Sequence, residues 1–181
     1  DFLSKDFHKD RREKLRTSLP ANSVAVFFAN PVRNRARDVD YIYHQDPDFY
    51  YLTGYKEPDA LLLIFKDKQL AANGTAYNEI LFVQPRNAAR EMRDGRRLGE
   101  QGAKDRLGFE QAFNNSEFKR YNVDFAKFDK VLFFDFYNDV RNEPRDSSDL
   151  YDMIAQFKAK VKYPEKSGIS LAVETAKNNL D

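Results

Sequence analysis

The segment that decides the fold covers residues 41–65, YIYHQDPDFYYLTGYKEPDALLLIF. Asp46 and Pro47 predict a helix start, because aspartate accepts hydrogen bonds from free helix amides and proline suits the first helical position. Asp48 adds negative charge where the helix dipole favours it. Gly54 predicts the helix end, since glycine readily takes the left-handed conformation that many helix ends need. The helix is therefore short, and an apolar segment follows it directly.

The same segment is unusually aromatic, with six tyrosines and phenylalanines within fifteen residues. Such a cluster suits either a ligand pocket or a protein core, and aromatic side chains beside a strand are most often core. We therefore expect Phe49 and Tyr51 to be mostly buried. The apolar run at residues 60–65 is expected to be a buried strand.

The composition is that of a globular protein of 181 residues, with 41% hydrophobic, 14% aromatic and 33% charged residues. The formal net charge is +1, so no overall field attracts nucleic acid or an anionic membrane. The sequence lacks cysteine, which excludes disulfides and thiolate chemistry. No apolar run has the length of a membrane-spanning helix. The compartment stays open between the cytoplasm, the default, and export after removal of a signal peptide.

Strand and helix patterns alternate along the chain. Strands are expected at residues 23–29, 60–65, 79–83 and 130–136, with the second and third forming a hairpin. Helices are expected at 4–18, 100–107, 110–113, 117–121 and 146–162, the last capped by Ser147 or Asp146, and a final short element near 170–176. His8 and Arg12 are assigned to the solvated face of the first helix. The predicted fold class is α/β, one domain with a mixed β-sheet flanked by helices.

A self-sufficient active site is not indicated by any motif. His8 and His44 are the only histidines, and their spacing fits no metal site. Asp135, near the end of an apolar strand, is interpreted as capping local amides in preference to a catalytic role. Nucleophile elbows and phosphate-binding glycine loops are missing. We therefore assign no catalytic, metal or cofactor-binding residue.

Five arginines lie within a dozen residues, and two acids lie among them. An uncompensated basic stripe would favour nucleic acid, whereas mixed charges favour an ion-paired surface or a subunit contact. We therefore predict an interface and no nucleic-acid partner; steeply salt-dependent binding to oligonucleotides would indicate the other interpretation. The residues are Arg86, Arg90, Arg93, Arg96 and Arg97, with Glu91 and Asp94.

Several motifs in order resemble the amino-terminal domain of aminopeptidase P, the Xaa-Pro aminopeptidases of the creatinase and prolidase superfamily. They are R-R-x-x-L at residues 11–15, Arg35 with Asp38, Y-x-Y-x-Q-D-x-D-F-Y-Y-L-T-G-Y at 41–55, E-P-D-A at 57–60 and G-R-R-L-G at 95–99. The resemblance covers roughly the first 110 residues and becomes general beyond Phe113. It makes Asp48, Phe49, Tyr51 and Gly54 a structural motif of a creatinase-like, ribonuclease H-like fold.

The resemblance implies that residues 1–181 are the non-catalytic amino-terminal domain of a metallopeptidase. Its carboxy-terminal pita-bread domain, absent from this sequence, would hold two manganese ions and remove an N-terminal residue that precedes proline. The implied partners are that catalytic domain, further copies in a dimer or tetramer, and proline-containing peptides, with no membrane. The amino-terminal domain would cover the active-site cleft.

One position departs from the family. Arg93 stands where members have a tryptophan, two residues before G-R-R-L-G, that reaches a neighbouring subunit's active site. We predict that Arg93, Arg96 and Arg97 lie on a surface facing another domain or subunit. The alternative function is a non-catalytic protein-binding module of the same superfamily, like that of certain histone chaperones. Metal ligands downstream of Asp181 would favour the peptidase, and their loss would favour the binding module.

Overall fold

A computed structural model describes residues 3–37 and 39–164, with residues 93 and 94 described by their backbone alone. The helices are α1 Lys5–Ser18, α2 Pro47–Thr53, α3 Ala88–Asp94, α4 Gly99–Leu107 and α5 Leu150–Lys160. The strands are β1 Ser23–Phe28, β2 Asn34–Ala36, β3 Val39–Asp40, β4 Leu61–Leu70, β5 Ala76–Val83, β6 Ala112–Asn114 and β7 Lys130–Phe133. The element expected near residues 170–176 lies outside the described residues.

The main sheet has five strands in the order β6-β5-β4-β1-β7. β4 pairs antiparallel with both β1 and β5, whereas β7 is parallel to β1 and β6 is parallel to β5. The predicted hairpin of β4 and β5 is therefore confirmed, and so is the mixed α/β class. β2 and β3 form a separate two-stranded hairpin.

Both faces of the sheet are buried, which explains the continuous apolar runs in β1 and β4. Alternate side chains contribute to two cores, so Leu62 and Ile64 face one layer while Leu61 and Leu63 face the other. The first core includes Phe49 of α2 and Ala103 of α4, and Leu15 of α1 packs against it. The second includes Met153, Ile154 and Phe157 of α5. The domain is thus a sheet between two helical layers.

Arg12 on α1 is fully buried, and the expectation that it belongs to the solvated face is wrong. Its guanidinium donates two hydrogen bonds to the Glu79 carboxylate on β5, at 2.9 and 3.0 Å, and a third to the Leu52 carbonyl of α2, at 2.9 Å. The group also lies 3.9 Å from the centroid of the Phe109 ring. The charge pattern along a helix does not reveal that Arg12 has a bidentate carboxylate partner on a strand of the sheet.

His8 is buried as well, again contrary to the sequence expectation. Its Nδ1 lies 2.8 Å from the Tyr51 carbonyl oxygen, and its ring packs edge-on against Tyr50. The ring also lies against Gly54, which ends α2 with φ at +71° as predicted. The α1–α2 contact therefore depends on a glycine for two reasons, its backbone conformation and the absence of a side chain.

Four other expectations differ from the structure. The helix expected at residues 117–121 is not formed, because a single 3₁₀ turn at Asn115–Glu117 is followed by further turns. The predicted helix at residues 110–113 is not formed, because residues from Ala112 pair with β5 as strand β6. The strand expected at 130–136 ends at Phe133 and lies at the sheet edge, half-exposed instead of fully covered. The α5 cap is Asp149, whose carboxylate accepts from the Asp152 amide.

Replacing Arg12 tests the buried ion pair. We expect Arg12→Ala to lower the free energy of unfolding by about 3–5 kcal/mol, because Glu79 and the Leu52 carbonyl lose their partner in a water-poor site. Arg16→Ala, on the same helix, removes an exposed pair with Glu13 and should cost about 1 kcal/mol or less. Urea unfolding followed by circular dichroism measures both values, and equal losses would contradict this account.

A pair of glycine substitutions separates conformation from close packing. A Cβ at Gly54 would lie 2.8 Å from the His8 ring, whereas a Cβ at Gly74, also at positive φ, would meet nothing within 4 Å. We expect Gly74→Ala to cost about 1 kcal/mol and Gly54→Ala about 1–2 kcal/mol more. Thermal and urea unfolding of the two variants give the comparison. Similar losses would mean that His8 moves aside without cost.

Candidate functional site at the carboxyl edge of the sheet

The strand directions bring polar residues together at one edge of the sheet. Because β1, β5, β6 and β7 run one way and β4 the other, the carboxyl ends of four strands meet the start of β4. Glu57 and Asp59 precede β4, and Gln84 follows β5. Together they line a cleft of about 370 Å³, here called the edge cleft. Ligand sites in open α/β sheets commonly occupy this position.

Asp59 is the centre of a hydrogen-bond network at this edge. Its Oδ1 accepts from the Leu150 amide of α5 at 2.9 Å, and its Oδ2 accepts from the Gln84 Nε2 at 2.6 Å. The Asn115 side chain donates to the Asp59 carbonyl at 3.0 Å. The residue has φ at +53°, a left-handed conformation that aspartate tolerates better than most residues. One aspartate therefore connects β4, the end of β5 and the start of α5.

The electrostatic environment of Asp59 favours its protonated form. Burial is the main cause, and the nearby carboxylates of Asp149 and Asp146 add to it, while the hydrogen bonds from Leu150 and Gln84 oppose it. Together these effects raise the pKa of Asp59 to about 6. A buried carboxyl with a perturbed pKa in a cleft is the usual mark of a functional position, although structural networks produce it too.

Glu57 fastens the arginine-rich segment to the sheet edge. Its carboxylate accepts from the Leu98 amide at 2.7 Å and from the Tyr55 hydroxyl at 3.0 Å. Burial raises the pKa of Glu57, and it raises the pKa of the Tyr55 hydroxyl even more strongly. Glu57 thus accepts hydrogen bonds from the Leu98 amide, at the start of α4, and from the buried Tyr55 hydroxyl.

Two arginines of residues 86–97, here called the arginine segment, are neutralised within the domain. Arg86 forms a bidentate pair with Glu91, at 2.5 and 2.8 Å, and Arg90 pairs with Asp146 at 2.9 Å. The second pair attaches α3 to the loop before α5. The expected mixed ion-pair surface is therefore present for these two residues.

Arg96 and Arg97 differ, since neither guanidinium forms an ion pair with a described residue. Both line the edge cleft and also an adjoining cleft of about 660 Å³. The nearby acids Glu57 and Glu91 already accept from backbone amides, including those of Leu98 and Asn87. Arg93 lies in α3, and its side chain is outside the described part of the structure. Its predicted interface role stays a prediction.

The aromatic segment is positioned as its motif suggested, with one correction. Asp46 caps α2 by accepting from the Phe49 amide at 2.9 Å, and the Phe49 side chain is fully buried. Tyr51 is 44% exposed, so the expectation that it is mostly buried is wrong. Its ring lies on the outer side of α2 against Phe7 of α1, and its hydroxyl accepts from Arg11 of the same helix at 3.4 Å. Its carbonyl oxygen contacts His8, also on α1. Asp48 lines a third cleft beside β1.

Sequence reasoning missed the Asp59 network. Its only signal was an acid directly after Pro58 and directly before a fully apolar strand. Among residues 3–37 and 39–164, no group of three or more histidine, cysteine or acidic side chains is arranged to hold a metal ion. In that same part of the chain, no helix is long and apolar enough to cross a membrane.

Comparison with known families identifies the domain. Residues 8–133 match the family model described as the aminopeptidase P N-terminal domain. The chain belongs to this family. The match includes Arg12, the aromatic segment, Asp59 with Gln84, and the arginine segment, whereas Leu150 lies beyond it.

Relatives of known name share about a third of the aligned residues. The chain is 35% identical over 115 residues to the Xaa-Pro aminopeptidase of Escherichia coli, which covers 64% of this chain and 25% of that protein. It is 36% identical over 100 residues to human Xaa-Pro aminopeptidase 3, covering 54% of this chain and 19% of that protein. The chain thus spans about a quarter or less of the length of these relatives.

Solved structures agree with this assignment. The structure of aminopeptidase P from E. coli with the inhibitor Pro-Leu has a TM-score of 0.63 and 30% identity, over 74% of this chain and 29% of that one. Proline aminopeptidase P II from Yersinia pestis has a TM-score of 0.57 and 31% identity, over 65% of this chain and 26% of that one.

The raised pKa of Asp59 predicts a pH dependence of stability. Between about pH 4 and 6 the folded protein keeps a proton that the unfolded chain has lost, so the free energy of unfolding falls as pH rises, by on the order of 3 kcal/mol. Asp59→Asn keeps an acceptor for the Leu150 amide and tolerates the left-handed conformation. We expect it to remove most of this decline and to be the more stable variant above pH 7.

Urea unfolding at several pH values measures this effect. The matched control is Asp105→Asn, which removes an exposed carboxylate from α4 and should leave the decline unchanged. An equal decline in wild type and Asp59→Asn would show that Asp59 titrates normally in the folded state.

Proposed function

We propose that residues 1–181 form the non-catalytic amino-terminal domain of a longer Xaa-Pro aminopeptidase, a peptidase that releases an N-terminal residue preceding proline. The observation that carries this proposal is the family match over residues 8–133, in relatives about four times as long as the matched region. The described residues also hold no cluster of metal ligands, so the metal chemistry is assigned to the remaining part of such a protein. A catalytic domain with two manganese ions is part of this proposal.

The proposed role of the domain is to cover the active-site cleft and to contribute to a dimer or tetramer. Its partners would be its own carboxy-terminal catalytic domain, further copies of itself and proline-containing peptides. The two-layered core supports this role, because a domain that buries both sheet faces presents its charged edges and loops to partners. In this proposal the domain acts through the surfaces that contact its partners, and the core keeps those surfaces rigid.

The arginine segment supplies the proposed contact surface. Arg86 and Arg90 form ion pairs within the domain, whereas Arg96 and Arg97 form none with a described residue, and the charge of Arg97 acts on Glu57 by lowering its pKa. An arginine without a partner retains the capacity for bidentate binding of a carboxylate. We place Arg96, Arg97 and, by its position in α3, Arg93 on a surface that meets acidic groups of another domain or subunit.

The division of labour is tested by a peptidase assay on Xaa-Pro peptides with added manganese chloride. We expect no hydrolysis by the 181-residue chain, and hydrolysis by the longer protein that contains it. Hydrolysis by the chain alone would refute the proposal.

The arginine surface is tested in the longer protein. We expect Arg96→Ala combined with Arg97→Ala to lower kcat/KM by about tenfold or more, because the carboxylates opposite these arginines lose their partner. Arg120→Ala, an exposed arginine in the turn before β7, is the control and should change kcat/KM by less than about twofold. Equal effects of the double variant and the control on kcat/KM would contradict the proposed contact by Arg96 and Arg97.

A further inference from the structure

Exposed apolar side chains concentrate around the β2–β3 hairpin and the residues that follow β7. Ile42 is 86% exposed and Phe134 is 65% exposed. The two regions are joined, because Arg33 at the hairpin base pairs with Asp139 and lies over the Tyr137 ring. The exposed apolar side chains of the two regions, here together called the patch, are Val39, Tyr41, Ile42, Leu132, Phe134 and Tyr137.

The hairpin half of this patch is basic as well as apolar. All its described residues are exposed, and Arg35 and Arg37 form no ion pair with a described residue. A two-stranded hairpin is marginal on its own in water, so it gains stability from a covering surface. Among the residues that the structure describes, its ion pairs hold the base, where Arg33 pairs with Asp139 and Arg141 lies near Asp40 at 3.9 Å. The outer part is therefore available to a partner.

The neighbouring cleft has the complementary chemistry. It has a volume of about 260 Å³ and lies at the carboxyl ends of the parallel strands β1 and β7, with an aromatic lining that includes Phe27 and Phe134. Three carboxylates also line it, those of Asp46, Asp48 and Asp135, and none of the described basic side chains does. We call it the aromatic–acidic cleft.

Two of those three carboxylates form no hydrogen bond or ion pair with the described residues. Asp46 accepts from the Phe49 amide and from the Tyr137 hydroxyl, at 2.9 and 2.8 Å. Asp48 and Asp135 accept no hydrogen bond from the described residues and form no ion pair with them. The predicted capping of local amides by Asp135 is therefore not observed. An apolar floor with two free carboxylates suits a partner that carries aliphatic or aromatic side chains beside arginines.

We propose that the β2–β3 hairpin of one copy packs into the aromatic–acidic cleft of a second copy, reciprocally about a two-fold axis. Ile42 and Tyr41 would cover the aromatic floor, while Arg35 and Arg37 meet Asp48 and Asp135. Both complementary halves belong to one chain and adjoin each other at Arg33 and Tyr137, which is the arrangement that an isologous dimer requires. This inference rests on the proposed homo-oligomer and gives it a specific surface.

Charge reversal in sedimentation velocity experiments over a concentration series tests the dimer. We expect Arg35→Glu with Arg37→Glu, and separately Asp48→Lys with Asp135→Lys, to raise the dimer dissociation constant about tenfold or more. Combining all four changes in one chain should restore the wild-type value to within about threefold, because opposite charges face each other again. A monomeric wild type at every concentration, or no restoration in the combined variant, would overturn the proposal.

A second pair of variants tests the apolar contact without relying on charges. Ile42→Asp should weaken the dimer about tenfold or more, whereas Leu70→Asp, at the far end of β4 and 74% exposed, should leave it unchanged. Equal weakening by both changes, or by neither, would exclude the hairpin as the contact. Circular dichroism melting confirms folding of each variant. Sedimentation is independent of peptidase activity, so failure of the dimer and failure of the proposed enzymatic role give separate results.

Discussion

The buried ion pair of Arg12 with Glu79 is the interaction on which the rest of the domain depends. It connects the first helix to strand β5 of the sheet, and the third hydrogen bond of Arg12 connects the same helix to the end of α2. Burying a cation is costly, so the pair stabilises the fold only because every donor of the guanidinium that faces inward has a partner. That requirement fixes the rotation and the height of α1 on the sheet, and with them the position of His8 against Gly54.

The first core and the aromatic segment follow from this arrangement. Once α1 is in place, α2 packs against it only if Gly54 carries no side chain, and Phe49 of α2 is buried in the first core. The chain enters β4 immediately afterwards, which sets Glu57 and Asp59 at the sheet edge. The polar network at that edge is therefore positioned by apolar and ionic contacts that lie on the other side of α2. A change in the position of α1 is therefore expected to change the positions of Glu57 and Asp59 at the edge cleft.

At the sheet edge, acids are used mainly to hold backbone amides. Glu57, Glu91 and Asp59 accept from the amides of Leu98, Asn87 and Leu150 respectively. Arg96 and Arg97 form no ion pair with a described residue, and they line the edge cleft together with carboxylates that include Glu57. The hairpin and the aromatic–acidic cleft also carry charged side chains that form no ion pair with a described residue. The arginines lie on the hairpin and the carboxylates line the cleft of the same copy. Both regions therefore present several charged side chains on the surface that form no ion pair with a described residue.

The sequence by itself determined the longer elements and the family resemblance, but it did not predict α3, β6 or the β2–β3 hairpin. Asp46, Pro47 and Gly54 predicted the bounds of α2, and unbroken apolar runs predicted the covered strands, because capping, left-handed turns and burial on both faces are local or near-local properties. Only the tertiary structure decided which polar side chains are buried. Arg12 and His8 looked solvated because helical periodicity does not report a partner that lies on a strand 67 residues away in the chain. Tyr51 looked buried because composition cannot distinguish the inner from the outer side of so short a helix. Asp59 became a network centre only when strand direction brought Gln84 and Leu150 to it, since the meeting of distant segments is a property of topology.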